Sequence, residues 1–285
     1  MTALPGGLAQ LVEPLRRRLA GEVIALFNDR GKGERPVRRR LDGLFGPNSV
    51  AWRVHGDVTS MMAGGIAGLL LQMLMPEVLA GVWDHSKFRA DMHGRLRRTA
   101  RFIALTTYGS QEEAETAIGR VRGIHGHVRG TLPDGTPYSA NDPEALAWVH
   151  ATETVNFLGA RLRYVEPVMP QHDRDRYFAE MAQVAEGLGA APVPRSEREA
   201  WAFIEGMRPR LRADARTREV ADLILRPKME RATPAPAAAM LFQAGIDLLP
   251  PWARAMHGLH SPALARPVVR AGTAGMARML RWALA

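Results

Sequence analysis

Gly94-Arg-Leu-Arg-Arg-Thr-Ala-Arg-Phe102 and Val121-Arg-Gly-Ile-His-Gly-His-Val-Arg-Gly130 are two basic, helix-forming segments separated by a turn at Tyr108-Gly109-Ser110. Arg95 and Thr99 stand four residues apart and share a helix face, with Arg98 close to both. On the second segment Arg122, His125 and Arg129 fall on roughly one face. His127 lies about 200° round that helix from His125 and points away. Two helices joined by a short turn pack antiparallel, which sets His125 opposite the Arg/Thr pair. That arrangement suits a ligand with a metal centre and anionic arms. A core histidine bonded to a backbone carbonyl explains the same residue, and both readings stay open at this level.

Outward from this stretch, the chain punctuates itself as helices. Residues 8–27 form an amphipathic pattern with Pro14 near the first turn, and 28–36 are loop chemistry. Residues 37–45 read as a short helix that stops at Gly46-Pro47-Asn48. The run 63–83 is the most apolar in the chain, but Gln72, Pro76, Glu77 and its glycines interrupt it. It therefore predicts a buried helix bent around Met75-Pro76 and no integral membrane segment. The small residues Gly64, Gly65, Ala67 and Gly68 admit another backbone or a flat ligand. Capping boxes at Ser110–Glu113, Asn141–Glu144 and Ser196–Glu199 start three further helices. Residues 131–138 form a turn or small hairpin around Asp134-Gly135, 187–195 a linker, and 190–285 a looser helical tail with a last helix over 261–285. The expected fold class is all-α, with residues 1–285 forming a single large helical domain.

Composition narrows the chemistry. The 285 residues contain no cysteine, which excludes disulfides, thiolate-ligated or covalently attached haem, iron–sulfur clusters and cysteine zinc sites. The net charge of +9 rests mainly on arginine, which favours flat anionic partners but is also common in GC-rich coding. Aromatics are few and sit in apolar contexts, so no nucleic-acid partner is expected. The first sixteen residues lack the layout of a leader, so a cytoplasmic location is expected. There is no GxSxG elbow, P-loop or GxGxxG before a helix.

The other histidines divide by context. His150 and Glu153 are i,i+3 neighbours in Ala147-Trp-Val-His-Ala-Thr-Glu153, a pairing that serves a metal or holds an imidazole tautomer. His85 stands at the start of the helix before the Arg/Thr segment, where Ser86 is a candidate cap. His172-Asp173 resembles the dipeptide of metal-dependent phosphohydrolases, without the flanking ligands such a site needs. His55, His93, His257 and His260 lack convergent neighbours and read as surface residues.

The order of several motifs resembles one family. Gly46-Pro-Asn-Ser-Val-Ala-Trp-Arg-Val-His-Gly-Asp57, Met75-Pro-Glu-Val-Leu-Ala-Gly-Val-Trp83, His85-Ser-Lys-Phe88, Arg95-Leu-Arg-Arg-Thr99, Val121-Arg-Gly-Ile-His125, Asp134-Gly-Thr-Pro-Tyr138 and Trp148-Val-His-Ala-Thr152 together are similar to the MpaB-type oxygenases, relatives of the latex-clearing protein. The match is best over 46–168. This resemblance implies an all-α fold holding a non-covalent b-type haem, with iron bound by His125. It implies Arg95, Arg98 and Thr99 on the distal side, and Arg122, Arg129, His85 and His150 around the cofactor. It also implies a hydrophobic small-molecule or polymer substrate, attacked at a carbon–carbon double bond. The family's distal lysine is replaced here by Arg98, which cannot deprotonate to ligate iron. A non-catalytic binder of haem or another lipophilic ligand is the alternative on the same fold.

Overall fold

The computed structural model describes residues 6–28, 33–226 and 235–284, and helices carry nearly all the regular structure among them. In order these are α1 (Gly6–Phe27), α2 (Val50–His55), α3 (Val58–Gln72), α4 (Pro76–His85), α5 (Met92–Tyr108), α6 (Gln111–His125), α7 (Pro143–Tyr164), α8 (Gln171–Leu188), α9 (Glu197–Met207), α10 (Ala215–Leu225), α11 (Ala235–Leu248), α12 (Pro251–His257) and α13 (Arg266–Leu284). A single two-stranded antiparallel hairpin, β1 (Arg129–Thr131) and β2 (Pro137–Ser139), separates α6 from α7. The fold is all-α.

The centre is the α3–α7 pair. Fourteen of the 22 residues of α7 are buried, Trp148 and Phe157 among them, as expected of a helix apolar on several sides. The glycines of α3 set how closely the pair approaches. A Cβ on Gly64 would lie 2.8 Å from the Asn156 carbonyl oxygen and 2.9 Å from the Phe157 ring. Gly68 likewise faces the backbone at Thr152 and Glu153. The small-residue run thus receives another backbone at these two positions, not a flat ligand. Reciprocal bonds tie the pair: Trp148 Nε1 donates to the Gln72 carbonyl at 3.2 Å, and Gln72 Nε2 to the Val149 carbonyl at 3.4 Å. Gly64→Val should lower unfolding stability by about 1–3 kcal/mol through overpacking, measured by urea denaturation. Gly46→Val, with open space at its Cβ, is the control.

The expected bend is present. Met75 is extended, Pro76 opens α4, and the axes of α3 and α4 turn by 103°. Proline lacks the amide needed to continue a helix and disfavours helical backbone at the preceding residue. No single described helix is long and apolar enough to cross a membrane.

Several local expectations are corrected. Residues 37–45 form no helix. They run as an irregular strap whose backbone bonds to the α5–α6 corner: the Arg40 amide donates to Tyr108 O and the Gln111 amide to Asp42 O, both at 2.8 Å. Gly43 lies so close to the Gly109 carbonyl that a Cβ would collide with it. Arg39 stacks over Trp52 and Tyr108. Docking on the corner satisfies the backbone groups that a short isolated helix would pair internally. The Ser110–Glu113 capping box is complete, whereas at α7 the cap is Asp142, accepting from the Ala145 amide. Ser196 accepts from the Glu199 amide, but the Glu199 carboxylate takes the Arg195 amide instead of completing the box. Ser86 closes α4 by donating to Val82 O, and Asp91 caps α5. The C-terminal part packs inward, with α9 on α7 and α11 and α13 on α3.

Candidate functional site

Asp91 starts α5 by accepting from the Gly94 amide at 2.9 Å, which fixes the phase at which Arg95, Arg98 and Thr99 leave the helix. Ser110 and Glu113 start α6, which returns along α5 and ends at His125. The Arg95 guanidinium and the His125 ring are close enough for the positive charge to act on the imidazole. The antiparallel turn therefore brings these two residues together.

His125 is half-buried at the end of α6. Burial chiefly, and then Arg95, lower its pKa, while a bond to the Ala140 carbonyl opposes them. The imidazole is thus neutral near pH 7. Its Nδ1 is buried and has no hydrogen-bond partner among the described residues. A carbonyl on the ring and a second nitrogen left open is the arrangement by which proteins orient a metal-ligating histidine; His257 shares it, with Leu70 O on Nε2 and Nδ1 unpartnered, but has no arginine acting on it. Arg95 adds a matching feature. Its guanidinium pKa is lowered by burial and by Arg98, and no hydrogen bond or ion pair to that guanidinium is found among the described residues. Arg95 is half-buried, and a partly desolvated, unpaired cation favours an anionic partner.

The surroundings are apolar and incompletely covered. Only Thr106 and Thr107 of α5 are buried, while Leu96, Phe102 and Ile103 remain half-exposed. The principal neighbour of α5 is α6, and it does not pack closely on α7. An open cleft of about 650 Å³ lies on a different side of α5, lined by Arg35, Arg38 and Arg101 beneath the strap, and does not include His125.

The remaining sequence candidates lie in several places. Arg98 and Thr99 are exposed; Arg98 pairs with Asp91 at 3.1 Å, and the Thr99 hydroxyl donates to Arg95 O at 3.3 Å. Arg122 is exposed near the end of α6. Arg129 does not share its helix face, because the helix stops at His125 and Arg129 belongs to β1. His127 lies beyond that end, exposed, with Nδ1 facing Gly123 O at 3.0 Å. His85 ends α4 and does not start α5. Its Nε2 lies 3.1 Å from the Tyr138 hydroxyl, which itself donates to Asp84 at 2.6 Å. His85 is therefore tied to the hairpin. His150 is buried, with its pKa lowered to about 4 and Nε2 unpartnered. Beside it, Glu153 is raised by burial to about 7.

Two histidines assigned to the surface are buried. His55 sits in a hydrogen-bonded chain, Nδ1 to the Thr107 hydroxyl at 2.8 Å and Nε2 to the Tyr177 hydroxyl at 2.9 Å. His257 Nε2 bonds Leu70 O at 2.8 Å. The clue for His55 was its place one turn after Ala51 on the buried face of α2. His172 is exposed and Asp173 is engaged by Arg53 at 2.7 Å. No group of three metal-ligating side chains forms among the described residues, so the phosphohydrolase reading has no site.

The fold is all-α, and it brings a neutral, half-buried histidine at the end of α6 within electrostatic reach of a half-buried arginine on α5. Residues 52–282 match the family described as ER-bound oxygenase mpaB/B'/rubber oxygenase, catalytic domain. The chain belongs to that family, an oxygenase catalytic domain. No curated protein and no solved structure matches the chain.

Proposed function

We propose that the chain binds a b-type haem against α5 and α6, with His125 as the iron ligand, and acts as an oxygenase on a hydrophobic substrate. One observation carries the reading: the buried Nδ1 of His125 has no partner and lies beside the unpaired guanidinium of Arg95. Both features fit a group with a metal centre and carboxylate arms. The half-exposed Leu96, Phe102 and Ile103 offer the apolar wall that a macrocycle or a hydrocarbon substrate requires.

A bound haem would supply the dioxygen chemistry. The chain's own residues supply the rest. The neutral His125 needs no deprotonation to act as a ligand, and the Ala140 carbonyl orients its ring. Arg95 pairs with a carboxylate or stabilises developing negative charge, with Arg98 and Thr99 in reach from the same helix face. Arg122, Arg129, His85 and His150 stand as outer candidates for cofactor contact. Arg98, always protonated, serves only as a donor. The apolar wall excludes water and selects hydrophobic substrates.

The test is a haem titration of the purified protein followed by absorption spectroscopy. A saturable Soret band at about one haem per chain is expected for a single histidine site; no band would overturn the reading. Oxygen consumption with polyisoprene or terpenoid mixtures then separates the oxygenase from a non-catalytic haem binder.

A further inference from the structure

We propose that α13, with the adjoining face of α1, docks on an anionic lipid bilayer. This inference is independent of the haem site. Among the described residues eight large apolar side chains are exposed, and four of them, Leu264, Val268, Met279 and Leu284, lie on or next to α13. Leu264 is 94% exposed, Val268 69% and Met279 46%. Val268 and Met279 are eleven residues apart, three helical turns, so they share one face. Leu264, four residues before Val268, precedes the helix on that side. The opposite face is packed inside the protein: Thr273 and Ala277 are buried there, while Ala283 closes the flank of the stripe at the helix end, and α13 lies on α1, α3, α7 and α11. The outward stripe therefore does not serve the core. Leu41, Ile124 and Val168, the exposed apolar residues elsewhere, are scattered over separate segments and need no partner.

Charge identifies the partner. α13 contains Arg266, Arg270, Arg278 and Arg281 and no acidic residue. Arg270 and Arg281 reach the buried carboxylates of Asp247 and Asp57. Arg278 is exposed beside Met279 and has no ion pair among the described residues. On α1, which packs along α13, Leu15 is 53% exposed, and the exposed Arg17 and Arg18 near it pair with Glu13 and Glu22, both at 2.9 Å, so the uncompensated charge of this face is Arg278. An apolar stripe edged by arginine is the pattern of a helix lying in a bilayer interface, apolar residues among acyl chains and guanidinium groups at the phosphates. A second copy of the chain would meet this face with the same uncompensated Arg278, a like-charge contact. An anionic surface meets it with the opposite charge.

The experiment is flotation of the full-length protein with vesicles of phosphatidylcholine alone or mixed with phosphatidylglycerol. Binding is expected to the mixed vesicles, to weaken as ionic strength rises from about 0.1 to about 0.5 M, and to fall about fivefold in Arg278→Ala. Val268→Asp combined with Met279→Asp should abolish it while leaving circular dichroism and monomer mass unchanged. No binding to the mixed vesicles, or unaltered binding by the double variant, overturns the proposal. So does a concentration-dependent dimer in sedimentation velocity that the double variant abolishes, since a second copy then covers the face. If the double variant misfolds, Arg278→Ala and the salt dependence carry the test: loss of neither effect is compatible with docking on anionic lipid.

Discussion

His125→Ala should weaken haem binding by at least about 100-fold, the loss that removal of even an outer partner of a metal ligand can produce. The comparison is a haem titration read at the Soret band, with His127→Ala as control. His127 is two residues away, exposed, and faces Gly123 O, so its removal should leave affinity within about twofold, the usual range for an exposed surface change. A Soret band of unchanged position and affinity in His125→Ala would sink the ligand assignment. The discrimination rests on geometry. α6 ends at His125, which places the ring beside Arg95, whereas Gly126 turns the chain so that His127 faces solvent. Arg95→Leu should weaken haem less and should raise the pKa of His125, because the neighbouring positive charge that lowers it is removed.

The second large effect concerns Glu153. Its side chain is part-buried against α7's apolar surroundings, has no hydrogen-bond or ion-pair partner among the described residues, and its pKa is raised by desolvation from 4.5 to about 7. A raised folded-state pKa means that the native state holds the proton more tightly than the unfolded chain. The stabilisation is complete below pH 4.5 and is lost as pH rises toward about 7, the window set by the two values. The loss across it is on the order of 3 kcal/mol, from about 1.4 kcal/mol per pKa unit. Glu153→Gln should remove this slope and be more stable than the parent at pH 8, measured by urea unfolding between pH 5 and 8. His55 and His150, kept neutral by burial at about 3 and about 4, act in the opposite sense, destabilising as pH falls below 6.5. The difference between parent and variant curves isolates Glu153, since both histidines are common to the two proteins. Parallel curves would show that the carboxyl is solvated in solution. Tyr177, whose pKa burial raises and the Glu153 charge raises further, makes the surroundings a poor place for a second charge.

Much of the local architecture was legible because it depends on near neighbours. Helix periodicity, the Ser110–Glu113 box, the turn at Asp134-Gly135 and the break at Pro76 each require only a few adjacent residues. So does the placing of Arg95, Arg98 and Thr99 on one stretch of helix. The misread positions are those where distant chain segments decide. The strap over 37–45 has helical spacing, but its amide and carbonyl groups are taken by the α5–α6 corner. Arg129 keeps the helical register in sequence, yet the pairing of β1 with β2 takes it out of the helix. His55 looked isolated because its partners, Thr107 and Tyr177, lie 52 and 122 residues away.

By itself the sequence determined that this is a helical, cysteine-free, basic chain, with three of its nine histidines and seven arginines between 91 and 130. Those properties follow from composition and short-range spacing. Only the tertiary structure decided which polar groups lack partners among the described residues, His125 Nδ1, His150 Nε2, the Arg95 guanidinium and the Glu153 carboxyl among them. Burial and pairing are properties of the whole packed molecule, and no spacing rule within one segment reports whether a distant chain has arrived to satisfy a donor or to cover a face.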